Sequence, residues 1–183
     1  MQALDLLLNR QSQPRLQAPA PTGDTLENIK QAALRVPDHA GLTPWHFIVC
    51  QEHGLVRLGE IYKQAAIAGG KSEKDIARAP QLPQRAPMVI VAIAKYTEHP
   101  KVPRVEQIAA TSCAVHAMQM AAVAQGFAGV WRTGFYAQDE YVKQDLQLDK
   151  RDEIVGFLYL GSSSVTPLPK PKRDSTAFFE SWD

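Results

Sequence analysis

Between Gln107 and Trp131 the chain carries no Asp, Glu, Lys or Arg, and the part from Ala109 to Ala124 is rich in Ala and Met with neither Gly nor Pro. This predicts a helix that is apolar on every side. Such a helix belongs in an interior, and its many alanines let other backbones approach closely. Gly126 and Gly129 end it, and Val130 to Arg132 then reads as a short strand.

The other elements follow from periodicity and breakers. Leu4, Leu7 and Leu8 recur at helical spacing, and that helix stops near Arg10-Gln11-Ser12. After a Pro-rich link, Thr22-Gly23-Asp24 opens a second helix with Leu26, Ile29 and Ala33 on one face, which must end by Pro37. Trp45 to Cys50 is aromatic and β-branched, hence a strand. Gly54 to Pro87 is helical and polar with a break at Gly69-Gly70. Met88 to Lys95 is a near-continuous apolar strand, which implies burial on both faces. A polar helix over Gln138–Leu146 and an apolar strand over Ile154–Leu160 complete the body. Pro167, Pro169 and Pro171 make an extended tail that ends in Phe178-Phe179-Glu180-Ser181-Trp182. Aromatics exposed on a tail are costly in a monomer, so docking on a second chain is expected. Four strands interleaved with five or six helices give an α/β or α+β sandwich in one domain over residues 1–183, with 162–183 as the tail.

Composition narrows the function. Twenty Lys plus Arg against nineteen Asp plus Glu leave a net charge of +1, which removes the electrostatic footprint of a dedicated nucleic-acid binder. The longest apolar run is far short of the roughly 20 residues a membrane helix needs, and the N-terminus lacks the basic region and cleavage site of a signal peptide. Cys50 and Cys113 lie in apolar stretches without a C-x-x-C pattern, so buried thiols in a reducing, cytoplasmic compartment are expected.

Two local motifs mimic known chemistry. Ala65 to Ser72 reads A-x-x-x-x-G-K-S, but a phosphate loop must follow a buried strand, and the preceding Leu58 to Gln64 is helical. A Gly-Gly turn with a solvated Lys71 fits better than nucleotide binding. Asp38, His39 and His46 lack a third conventional ligand at matching spacing, so no metal site is expected. Arg132 is harder to dismiss. It stands between Trp131 and Gly134 in an apolar setting, where an unpaired guanidinium is expensive, so it calls for an acidic side chain or an anionic ligand. An Arg beside a hydroxyl residue such as Thr133 is the combination that holds phosphate.

Taken in order, several pieces resemble the flavin-dependent nitroreductase family along nearly the whole chain. They are Leu7 to Ser12, Arg35-Val36-Pro37-Asp38-His39 running to Pro44 through Val49, Met118 to Phe127, Gly129 to Gly134, and Ile154 to Gly161. The chain resembles most the small single-domain bacterial branch, with Pro-Asp-His where larger members carry Pro-Ser-Ser. The resemblance implies an α+β fold, a three-layer sandwich of a mainly antiparallel central sheet flanked by helices. It also implies a homodimer with one FMN in each of two interface pockets.

By the same resemblance, Arg10, Gln11 and Ser12 correspond to an FMN-phosphate cluster. Arg35 and His39 correspond to residues that reach the flavin from the partner chain, and Trp131, Arg132 and Thr133 to a further cofactor-contacting stretch. Ala121, Ala122, Val123, Ala124, Gln125 and Gly126 correspond to an NAD(P) site, although a helix end and a glycine turn explain that stretch equally well. The implied activity is transfer of hydride from NADPH or NADH to FMN and on to a nitroaromatic, quinone or similar small acceptor, with no catalytic side chain required. A flavin-handling protein without that activity is the alternative. Three departures stand out: Gln11 replaces a second arginine, and Gly41 and Thr43 occupy positions where many members place Asn and Gln. Lys172 and Arg173 could extend to the phosphate, but a solvated tail accounts for them better.

Overall fold

The strand Met88–Ala94 is buried along its whole length, as its unbroken apolar sequence requires. In the computed structural model, which describes residues 2–165, 167–168 and 170–182, it is one of four strands. These are β1 (Trp45–Gln51), β2 (Met88–Ala94), β3 (Ala128–Arg132) and β4 (Glu153–Gly161). They form one sheet in the order β1-β2-β4-β3 with every neighbouring pair antiparallel. The seven α-helices among the described residues are α1 (Ala3–Asn9), α2 (Gly23–Ala33), α3 (His53–Ala68), α4 (Glu73–Arg78), α5 (Arg104–Ala124), α6 (Phe135–Gln138) and α7 (Glu140–Asp145).

Alternation along β2 sorts the core into two halves. Val89, Val91 and Ile93 pack with Leu58, Ile61 and Tyr62 of α3, while Met88, Ile90 and Ala92 pack with Ile29 of α2 and Ala114, Val115 and Met118 of α5. The result is an α+β, three-layer sandwich, as the resemblance implied. Of the three tail prolines, Pro169 lies outside the described residues.

Several sequence expectations are corrected. The Ala/Met-rich helix starts at Arg104, because Pro103 supplies the N-cap and a charged first turn can face water. It is not buried all round: Val105, Ala109, Cys113, His116 and Ala124 are exposed along one open, uncharged face. Cys113 is therefore an exposed thiol, and only Cys50 is buried. The helix expected over Gln138–Leu146 is α7, Glu140–Asp145: it starts two residues later, because Asp139 has an extended backbone and its carboxylate accepts the Val142 N–H at 3.1 Å as the cap, while Gln138 ends the separate α6. Lys71 is not simply solvated, since its ammonium lies 3.9 Å from the centre of the Phe135 ring.

Candidate functional site

β3 is an edge strand, and two side bonds fix what lies against it. The Gly129 carbonyl accepts the Gln13 N–H at 3.0 Å and the Gln119 Nε2–H of α5 at 2.9 Å. Gln17 and Ser162 then exchange a pair of backbone bonds at 2.9 and 2.8 Å. The chain leaving α1 is thus strapped to the sheet, and Arg10 and Gln11 open into a cavity of about 470 Å³. Its other wall is built from Val123, Gly126, Phe127 and Ala128, with Ser163 and Ser164 closing one side. Arg10 Nη1 lies 3.5 Å from Ser12 Oγ. No carboxylate pairs with Arg10 among the described residues. Gln11 donates to the Leu168 carbonyl at 2.6 Å and ties the tail to this wall.

The stretch Ala121–Gly126 reaches the same cavity through Val123 and Gly126, while much of it works as a helix end. Gln125 donates to the carbonyls of Ala121 and Thr25 at 3.0 and 3.2 Å and accepts from Asn28 at 3.0 Å. Gly126, at φ 85°, adopts the left-handed turn that ends the helix.

At the far end of β3, Trp131 and Arg132 point to opposite faces. The Trp131 indole lies across β4, donating from Nε1 to the Val155 carbonyl at 3.2 Å. The register of β2 with β4 shifts here, and Gly156 leaves the room the indole occupies, because any Cβ at 156 would collide with it. Arg132 lies on the other side with its guanidinium 5.6 Å from the Tyr159 ring. Its Nε is buried and has no hydrogen-bond partner among the described residues. Burial pushes the Tyr159 phenol up, opposed by the positive charges of Arg132 and Arg85. Thr133 is exposed, and the following Gly134, at φ 95° and ψ −158°, has a backbone that only glycine adopts readily.

Arg35 and His39 form a separate patch and do not line the cavity. Arg35 follows α2 and is exposed without an ion pair among the described residues. His39 sits in a loop in which Ala40, Gly41 and Thr43 all have positive φ, of 62°, 63° and 46°. Non-glycine residues there store strain. The loop is held by Asp38, whose carboxylate accepts the N–H groups of Leu42 and Thr43 at 3.1 and 2.7 Å. His39 Nδ1 meets Glu106 Oε2 of α5 at 2.7 Å.

Sequence reasoning missed Glu106, since nothing local links positions 39 and 106. It also missed the cavity wall at Ser163 and Ser164, which comes from the chain folding back after β4. A single chain brings Arg10 and Gln11 to Val123 and Gly126, but it leaves Arg35 and His39 elsewhere.

Comparison with known proteins agrees with this architecture. The model of the Nitroreductase family matches residues 7–162. The Escherichia coli (strain K12) protein named "Putative NAD(P)H nitroreductase YdjA" is 49% identical over 165 residues, covering 90% of each chain. Among solved structures, a nitroreductase-like family protein from Bacillus cereus superposes with a TM-score of 0.85 at 23% identity, covering 100% of this chain and 96% of that one. An FMN-dependent nitroreductase from Clostridium difficile gives 0.70 at 19% identity, covering 97% and 98%. Sequence match and fold point the same way: the chain belongs to the nitroreductase family and is an oxidoreductase of that family.

Proposed function

We propose that this protein is an FMN-dependent oxidoreductase that takes hydride from NADPH or NADH and reduces nitroaromatic, quinone or similar small acceptors. The observation that carries the reading is Arg132. Its Nε is buried without a hydrogen-bond partner among the described residues, which is expensive, and an anionic acceptor brought by a ligand would satisfy it. The residues fit FMN. Its phosphate carries about −1.5 to −2 charge near neutral pH, by analogy with other phosphomonoesters. Arg10, free of carboxylate partners among the described residues, together with Ser12 and the Gln11 amide, can balance and orient that group. Trp131, Arg132 and Thr133 do not line the cavity at Arg10; by the family resemblance they would contact the cofactor at the other end of β3, with Arg132 donating from Nε.

FMN, when bound, supplies the redox chemistry. The chain's own residues bind and orient. Arg35 and His39 would place positive charge and a hydrogen bond at the flavin of a second copy, because they lie off the cavity wall of their own chain. The segment Ala121–Gly126 would receive NAD(P)H at the cavity's other wall.

Exposed apolar surface supports a homodimer. The open face of α5, Leu4, Leu7 and Leu8 of α1, and the tail residues Phe178, Phe179 and Trp182 are all exposed on one chain. On this reading residues 1–183 form one domain whose 162–183 tail docks on the partner. No described helix is long and apolar enough to cross a membrane, which accords with a cytoplasmic enzyme.

A visible spectrum tests the proposal. Protein incubated with FMN and freed of excess should be yellow, bleach with NADPH or NADH under nitrogen, and recover colour with a nitroarene or quinone. Protein that stays colourless ends the reading. Flavin that binds but is not reoxidised by any such acceptor favours a flavin-handling protein instead.

A further inference from the structure

We infer that Glu106 is a positioning residue for the cofactor site: by accepting the His39 Nδ1–H, it fixes the imidazole so that Nε2 is the nitrogen presented to the flavin. The inference rests on the reading of His39 as a flavin contact and adds a residue from α5 to it.

A carboxylate only accepts, so the 2.7 Å contact assigns the hydrogen to Nδ1 and frees Nε2 for other work. Nε2 has no hydrogen-bond partner among the described residues. The backbone beneath the ring is independently held: Asp38 binds two N–H groups of the same loop, and Ala40, Gly41 and Thr43 are locked in left-handed conformations. Glu106 therefore removes the freedom that remains, rotation of the side chain.

A purely structural account explains less. Glu106 stands in the first turn of α5, where an acid complements the helix dipole without any partner. Its reach to a residue 67 positions away is not needed for that. As an ion pair it is half exposed, with side-chain accessibilities of 53% and 46%, so it contributes little to stability. A bond of small energetic weight on a strained, anchored loop is better explained by orientation.

The test is a double-mutant cycle on FMN binding to the flavin-free protein, read by quenching of flavin fluorescence, with the melting temperature of each variant as control. His39→Ala is expected to weaken FMN about tenfold. Glu106→Ala should weaken it several-fold, and the double variant should bind no worse than His39→Ala alone. Glu106→Gln keeps an acceptor at the same reach and should restore affinity to within about twofold of wild type. The flavin midpoint potential should become more negative in both alanine variants, a change that loosened packing on α5 would not produce. Wild-type binding by Glu106→Ala, or additive losses in the double variant, would overturn the role of Glu106 while leaving His39 as a contact. Unchanged binding by His39→Ala would remove both. Should Glu106→Ala fail to fold, Glu106→Leu, which fills similar space without an acceptor, carries the same cycle: FMN should bind several-fold more weakly to it than to Glu106→Gln, and equal binding by the two would overturn the role of Glu106.

Discussion

The Asp152 carboxylate and the Nε of Arg132 are two polar groups buried at different places in the fold, and the chain treats them in opposite ways. Asp152 is 1% exposed, and it meets Lys95 Nζ in a short ion pair and accepts the N–H groups of Tyr96 and Asp149 at 3.0 Å each. Burial works against its charged form, yet Lys95 and the two N–H donors outweigh that and hold the carboxyl below the usual carboxylate range. Arg132 has an aromatic ring near its guanidinium and, among the described residues, no partner for its buried Nε. Where a charge serves the fold, the chain completes its shell from its own atoms. On the reading proposed above, the incomplete shell of Arg132 is completed by the cofactor.

The largest effect should come from the completed shell. Asp152→Ala leaves two N–H groups and Lys95 without their acceptor and is expected to cost about 3 kcal/mol of stability by urea unfolding. FMN affinity of the folded fraction should be unchanged, and a comparable loss of both would erase the contrast. The same residue sets an acid limb. Its folded pKa is depressed, so its contribution is present above the unfolded carboxylate value of about 3.9 and is lost as pH falls through the lower folded value. Wild-type stability should drop in that window, and Asp152→Asn should flatten the drop.

Arg132→Ala sharpens the other side. FMN binding should weaken by about 1.5–3 kcal/mol, one to two decades in Kd, while stability changes by less than about 1 kcal/mol. Equal losses in both measurements would mean that Arg132 serves the fold after all. The smallest effect is expected at Lys71, whose contact with Phe135 is exposed. Lys71→Ala should cost about 0.5–1 kcal/mol and leave flavin binding intact. A loss of ATP affinity in that variant would instead revive the phosphate-loop reading of Ala65–Ser72, which in the structure is the end of α3 and a turn.

Much of the fold was legible because burial period and breakers are local. The run Met88–Ala94 states its own two-sided burial, and Gly126 and Gly134 mark turns that need positive φ. Helix boundaries were less legible. Asp139 moves the start of α7 to Glu140 because capping competes with propagation, and periodicity is blind to that choice. In the site, Arg132 announced itself by its apolar neighbours. Asp152 and Glu106 gave no such signal, since Lys95 and His39 lie 57 and 67 residues away from them.

By itself, the order of residues determined which segments become strands and that the sheet is covered on both sides, and it singled out the guanidinium at 132 by its apolar neighbours. Only the folded chain decided which carboxylates neutralise which cations, which face of α5 stays open, and that Arg35 and His39 stand apart from Arg10. Periodicity and turn chemistry act over a few residues and can be read along the chain. Pairing depends on where distant segments meet, and that is decided by the packing of the whole core.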